Sequence, residues 1–288
     1  MSIDKLQARI RKLKNPSVID FTVTKDQIPP HLFDAQENFV NAYGVFSRDV
    51  LNALKDMVPA VRFSYGFFSL LGPEGLTLLR ELMDAAKSYG YYVLLDVYEF
   101  SLVRSSEFAA EVFSHLPADG YVCFQYSGVD AVKSYAAMCK NTEKSLFVNL
   151  RTPNKSASQL QDLMTGSRLV HMAAAEIVSR LGEQQIGKSG FAQIAGVGAA
   201  NAADSLRQLR SKHKNMFIMV DGYDYPNANA KNCSAAFDSL GHGAIVSAGH
   251  SVTAAWQEED VDPRNYLESC VRAAEKMRKN ILRYITIL

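Results

Sequence analysis

Residues Tyr91–Ser105 read YYVLLDVYEFSLVRS. An apolar and aromatic run, Tyr91 to Leu95, leads into Asp96, and a helical pattern begins near Ser105. A run this short and this apolar fits a strand covered on both faces, as in a parallel sheet. A carboxylate at its end lies where α/β folds keep their chemistry, at the carboxyl edge of the sheet. Upstream, Glu74–Tyr89 sets Leu76, Leu79, Leu82, Met83 and Ala86 on one helical face and stops at Gly90. Helix, strand, acid, helix is the unit from which the rest of the chain is read.

That unit recurs. Further strands are predicted at Val18–Val23, Ala60–Ser64, Tyr121–Gln125, Leu146–Leu150, Ala192–Val197, Met216–Val220 and Ala244–Ser247. Helices are predicted over about Asp34–Met57, Ser106–His115, Ala131–Lys140, Ala157–Leu181, Ala202–His213, Asn232–Leu240 and Pro263–Ile287. Eight strand–helix units in 288 residues fit a single (β/α)8 TIM barrel spanning the chain. A doubly wound sheet is the alternative. It usually carries a glycine fingerprint after its first strand, and Thr22-Val23-Thr24-Lys25 has no glycine. The N-terminal MSIDKLQARIRKLKN sets Leu6, Ile10 and Leu13 against Lys and Arg. It reads as an N-terminal helix packed on the body, not as a signal peptide or anchor. A C-terminal helix closes the chain.

Composition narrows the function. A net charge of +1 provides no global field for nucleic acid or membrane. No apolar run approaches the ~18 residues of a membrane-spanning helix. Cys123, Cys139, Cys233 and Cys270 form no CxxC, so no zinc site or disulfide framework is expected, and the reading is of reduced thiols in a cytoplasmic protein. The six histidines do not pair at metal spacing, and no metal is expected. Gly196-Val197-Gly198-Ala199-Ala200-Asn201 lacks the third glycine of a dinucleotide loop, and it follows the sixth strand. A barrel gathers its site at the strand carboxyl ends. The polar residues expected there are Thr24, Lys25, Arg62, Ser64, Asp96, Tyr98, Gln125, Asn149, Arg151, Asn154, Asp221, Tyr223, Asp224, Ser247 and His250.

Three separate segments then carry a resemblance. They are Gly66-Phe67-Phe68 with Gly72-Pro73-Glu74-Gly75-Leu76, the stretch Arg151-Thr152, Asn154, Ser156, Leu160-Gln161-Asp162-Leu163, and Ala235-Ala236-Phe237-Asp238 with Gly241 and Gly243-Ala244-Ile245-Val246. In this order they resemble the orotidine 5'-phosphate decarboxylase family, in its longer bacterial form, over nearly the whole chain. The resemblance implies a TIM barrel of pyrimidine biosynthesis, acting as a homodimer on a nucleotide-like ligand, without metal or organic cofactor. Its catalytic array is a lysine after the second strand and an Asp-x-Lys-x-x-Asp motif after the third.

Residue by residue, the match departs from that array. The second-strand lysine position is Arg62, and the motif reads Asp96-Val97-Tyr98-Glu99-Phe100-Ser101. Asp96 is kept, Tyr98 stands at the proton-donating lysine, and Ser101 stands at the second aspartate. The family's Asp near the end of the first strand is replaced, in the region around Val23. Decarboxylation leaves a carbanion-like centre that an ammonium stabilises and protonates. A neutral tyrosine supplies no full positive charge, and a guanidinium does not give up its proton. The losses leave Asp96 and Arg62 as a single expected buried pair in a near-neutral site. The phosphate loop after the seventh strand reads Asp221-Gly222-Tyr223-Asp224-Tyr225-Pro226-Asn227-Ala228, without the family's Gln-Gly-Gly, and His250 replaces an arginine. Gln125, Arg151, Thr152, Asn154, Asp221, Tyr223 and His250 are the expected ligand contacts. The primary expectation is a homologue that has lost the decarboxylase reaction and binds or regulates. The alternatives are a lyase with another substrate, or one still converting orotidine monophosphate to uridine monophosphate.

Overall fold

The computed structural model of the protein describes residues 1–36, 38–97 and 105–288. Eight strands form a closed, all-parallel barrel in the order β1-β8-β7-β6-β5-β4-β3-β2. They are β1 (Ser17–Asp20), β2 (Ala60–Ser64), β3 (Tyr92–Asp96), β4 (Gly120–Phe124), β5 (Ser145–Asn149), β6 (Ile194–Ala199), β7 (Ile218–Asp221) and β8 (Ala244–Ala248). The long helices are α1 (Ser2–Leu13), α2 (Phe39–Leu54), α3 (Gly72–Ser88), α4 (Ser105–His115), α5 (Asp130–Asn141), α6 (Val170–Gly182), α7 (Ala203–Lys212) and α8 (Tyr266–Leu282). The predicted (β/α)8 barrel with its terminal helices is the observed fold. Among the described residues, no helix is long and apolar enough to cross a membrane.

Strand side chains alternate between two cores. Val18, Ala60, Tyr92, Leu94, Val122, Phe147, Val197, Phe217, Met219 and Ile245 fill the barrel interior. Ile19, Val61, Val93, Leu95, Val148, Val220 and Val246 face the surrounding helices. The amino-terminal mouth is closed by α1, whose Ile3, Leu6 and Ile10 are fully buried against the interior cluster. Ser2 pins it, with its amide donating to Gln193 Oε1 at 3.0 Å and its hydroxyl donating to the Asp119 carbonyl at 2.9 Å. One mouth is therefore plugged, and a ligand site belongs at the other.

Several predicted boundaries move, for local reasons. Helix α2 begins at Phe39, not Asp34, because the Asn38 side chain accepts the Asn41 amide at 2.9 Å and fixes the start there. The single helix predicted over Ala157–Leu181 is instead a 3-10 turn at Lys155–Gln159, a short hairpin pairing Met164–Thr165 with Arg168–Leu169, and α6. Gly166 turns that hairpin at a φ of 63°. The helix predicted over Asn232–Leu240 covers only Ala230–Ser234. Beyond it, Asp238 Oδ1 accepts the amides of Leu240 and His242 at 2.9 and 2.8 Å, drawing the chain into a turn.

Candidate functional site at the carboxyl mouth

Period-two alternation carries the interior parity up to the open mouth. Val18 leads to Asp20, Ala60 to Arg62, Leu94 to Asp96, Phe147 to Asn149, Met219 to Asp221 and Ile245 to Ser247. The strand register sets Asp20 beside Arg62 and Ser64 beside Asp96. A polar layer thus sits directly on the apolar interior.

Arg62 is its centre. The guanidinium Nε lies 3.0 and 2.9 Å from the two carboxylate oxygens of Asp96, and Nη2 lies 2.6 Å from Asp96 Oδ2. Nη1 donates to Asp221 Oδ1 at 2.7 Å and lies 3.5 Å from Asp20 Oδ2. Ser247 Oγ is 3.4 Å from the same nitrogen. The Arg62 side chain is 5 % exposed and that of Asp96 is 7 % exposed, so these charges interact with little solvent screening. The expected Arg62–Asp96 pair is present. Among the described residues, three carboxylates rather than one face that guanidinium.

Burial pushes the Asp96 carboxyl up to about 7, against the attraction of Arg62, and the charges of Asp20 and Asp221 push the same way. Asp96 is therefore poised to hold a proton near neutral pH.

Asp20 is the residue that sequence reasoning missed. The sequence predicts strand over Val18–Val23, with the family's first-strand acid replaced near Val23. The strand ends at Asp20 instead. There Asp20 Oδ1 accepts the amide and hydroxyl of Thr22 at 2.8 and 2.6 Å, turning the chain out of the barrel. The signal was an acid on the same parity as Val18.

The other expected residues are distributed around the rim. Asp221 joins the Arg62 cluster. Gln125 is buried just beyond β4. Arg151 is turned to Asp162, with Nε–Oδ1 at 2.9 Å and Nη2–Oδ2 at 2.8 Å. The amide of Thr152 donates to Gln161 Oε1 at 2.9 Å, and Asn154 is exposed ahead of the 3-10 turn. Tyr223 lines an outer cleft with Asn280 and Arg283. Tyr98 and Ser101 lie outside the described residues.

The loop after β8 holds its own anion. The Gly249 amide precedes a short helix, His250–Thr253, and donates to Asp224 Oδ2 at 2.7 Å. His250 Nδ1 lies 2.6 Å from the amide nitrogen of Gln27. An amide NH2 only donates, so Nδ1 accepts and the ring proton sits on Nε2. Nε2 faces Glu258, 3.9 Å away.

No family model matches the chain. An orotidine 5'-phosphate decarboxylase of Clostridium kluyveri is 25 % identical over 287 residues, covering 98 % of each chain. One from Rhodopirellula baltica is 24 % identical over 93 % of this chain and 94 % of its own. Among solved structures, the orotidine 5'-monophosphate decarboxylase of Plasmodium berghei superposes with a TM-score of 0.78 at 17 % identity, covering 97 % of this chain and 99 % of its own. The OMP decarboxylase of Leishmania donovani does so with a TM-score of 0.73 at 19 % identity, over 96 % and 98 %. From end to end, then, this chain is similar in sequence and in barrel architecture to the orotidine 5'-phosphate decarboxylases.

Proposed function

We propose that this barrel has lost the decarboxylation of orotidine monophosphate and serves as a non-catalytic binding or regulatory homologue of the enzymes it resembles. The observation that carries the reading is Arg62 held by three carboxylates at the strand ends. A cation already committed to three anions has little field left for a carbanion-like centre. Its guanidinium also cannot protonate one. The remaining acids add negative charge where the reaction would develop more. At the rim, Asp224 occupies the Gly249 amide that a phosphate oxygen would need. A cytoplasmic homodimer with a nucleotide-like ligand completes the proposal, on the strength of the resemblance.

One observation favours a second reading, a lyase of the same family with its own or another substrate. Asp96 keeps its strand-end place, and its carboxyl titrates near neutrality, as suits an acid–base group. The names of the curated relatives point the same way.

The phosphate end gives a direct test. In thermal-shift titrations, uridine monophosphate is expected to stabilise the protein no more than uridine does. Asp224→Ala frees the Gly249 amide and removes a charge. It should then favour the monophosphate by about tenfold in affinity, or ~1.4 kcal/mol. A clear preference of the unaltered protein for the monophosphate would show a working phosphate site and remove this support.

A further inference from the structure

We propose that the cleft between α6 and α7 is a second reactive site, in which Ser205 is a nucleophile toward small polar carboxylic esters. It involves none of the Arg62 cluster and stands apart from the proposal above, sharing with the expected ligand contacts only Arg151. The cleft measures about 440 Å³ and is lined by Arg151, Asp162, His171 and Ser205, with Asn201 and Asn232 among its polar walls.

The geometry assigns the roles. His171 Nδ1 lies 2.9 Å from the Gln161 carbonyl and 3.2 Å from Asp162 Oδ1. Both partners accept, so Nδ1 carries the proton. The lone pair is then on Nε2, 3.0 Å from Ser205 Oγ, whose hydroxyl donates to it. Asp162 orients the ring and is itself clamped by Arg151 through two hydrogen bonds of 2.9 and 2.8 Å. Nucleophile, base and orienting acid are thus in contact and in sequence. His171 is 1 % exposed, and burial lowers its basicity, with Arg151 adding to the effect. The imidazole therefore stays neutral and competent as a base at neutral pH.

Ser205 is the third residue of α7 and keeps 7 % exposure, on the cleft wall. The first turn of a helix presents N–H groups without helical acceptors. Ala202, at the N-cap, has no side chain to take them. Those of Ala203, Asp204 and Ser205 lie next to the nucleophile and supply polarity for a developing oxyanion. Asn201, whose buried side-chain oxygen has no hydrogen-bond partner, suits a small polar acyl group rather than a lipid chain.

In the step, Ser205 Oγ bonds to the ester carbonyl carbon, and its proton passes to His171 Nε2. The carbonyl π pair moves to oxygen. Its return breaks the bond to the alcohol oxygen, which leaves with the proton from Nε2. Water then attacks the acyl carbon and gives a proton to Nε2, the bond to Ser205 Oγ breaks, and Oγ takes that proton back as the acid is released.

The full chain is tested with two probes, p-nitrophenyl acetate and phenylmethylsulfonyl fluoride. The expected results are saturable hydrolysis and a single sulfonyl adduct that peptide mapping places on Ser205. Ser205→Ala should lower the hydrolysis rate by about 100-fold, while Ser211→Ala on the same helix leaves it unchanged. The rate should rise with pH and level off below the usual histidine range, reporting His171. The adduct is read on unaltered protein, so it does not depend on a variant folding. Absence of an adduct on Ser205, or hydrolysis unchanged in Ser205→Ala, would overturn the proposal.

Discussion

Replacing Arg62 with methionine is expected to destabilise the protein by about 3–5 kcal/mol at pH 8, read by chemical denaturation. Methionine fills similar volume and keeps the apolar stem, so the loss measures charge. The guanidinium is the only group among the contacts described that ties Asp20, Asp96 and Asp221 together. Without it, three carboxylates face one another across the barrel mouth. At 4 Å and an effective dielectric constant near 20, each like-charge pair costs about 4 kcal/mol before any proton is taken up. Protonation limits that cost, so the loss should shrink at pH 5. Arg62→Lys keeps a charge but cannot make the bidentate contact, and an intermediate loss is expected. A neutral result for Arg62→Met at pH 8 would mean that the carboxylates do not depend on the guanidinium.

Asp96→Asn is expected to remove a pH dependence. The Asp96 carboxyl is pushed up from 3.8 to about 7 in the folded protein, chiefly by burial. A raised pKa means that the folded state binds the proton more tightly than the unfolded chain does. Its stabilising contribution is complete below about pH 4 and is lost as pH rises toward 7. Across pH 5 to pH 8, the unaltered protein should lose on the order of 2 kcal/mol relative to Asp96→Asn. Denaturation curves of the two proteins at both pH values give the difference directly, and shared titrations cancel. A constant difference would place the proton elsewhere in the carboxylate trio.

Much of the barrel was legible because parallel strands covered on both faces are continuous apolar runs. Tyr92–Asp96 and Ala60–Ser64 show this plainly. Arg62 and Asp96 stood out as charges at the ends of such runs. Asp20 did not, because Val18–Val23 keeps strand-like character past the point where pairing ends. The meeting of Asp20, Asp96 and Asp221 on one guanidinium depends on register between distant strands, which no local pattern encodes. The loop acids at Asp221 and Asp224 were visible, but not that one binds Arg62 and the other caps Gly249. Asp162 and His171 were hidden by the long helix predicted across them. Nine residues apart on a helix, they would fall about two and a half turns apart on opposite faces. The hairpin at Gly166 folds them together instead.

The most direct measurement is decarboxylation of orotidine monophosphate by the purified protein, followed as release of labelled carbon dioxide at high enzyme concentration. The expected result is no turnover above the uncatalysed background, because Arg62 is committed to its carboxylates and supplies no proton. Turnover that is saturable and abolished by Asp96→Asn would contradict this and show that the strand-end site still performs the family reaction.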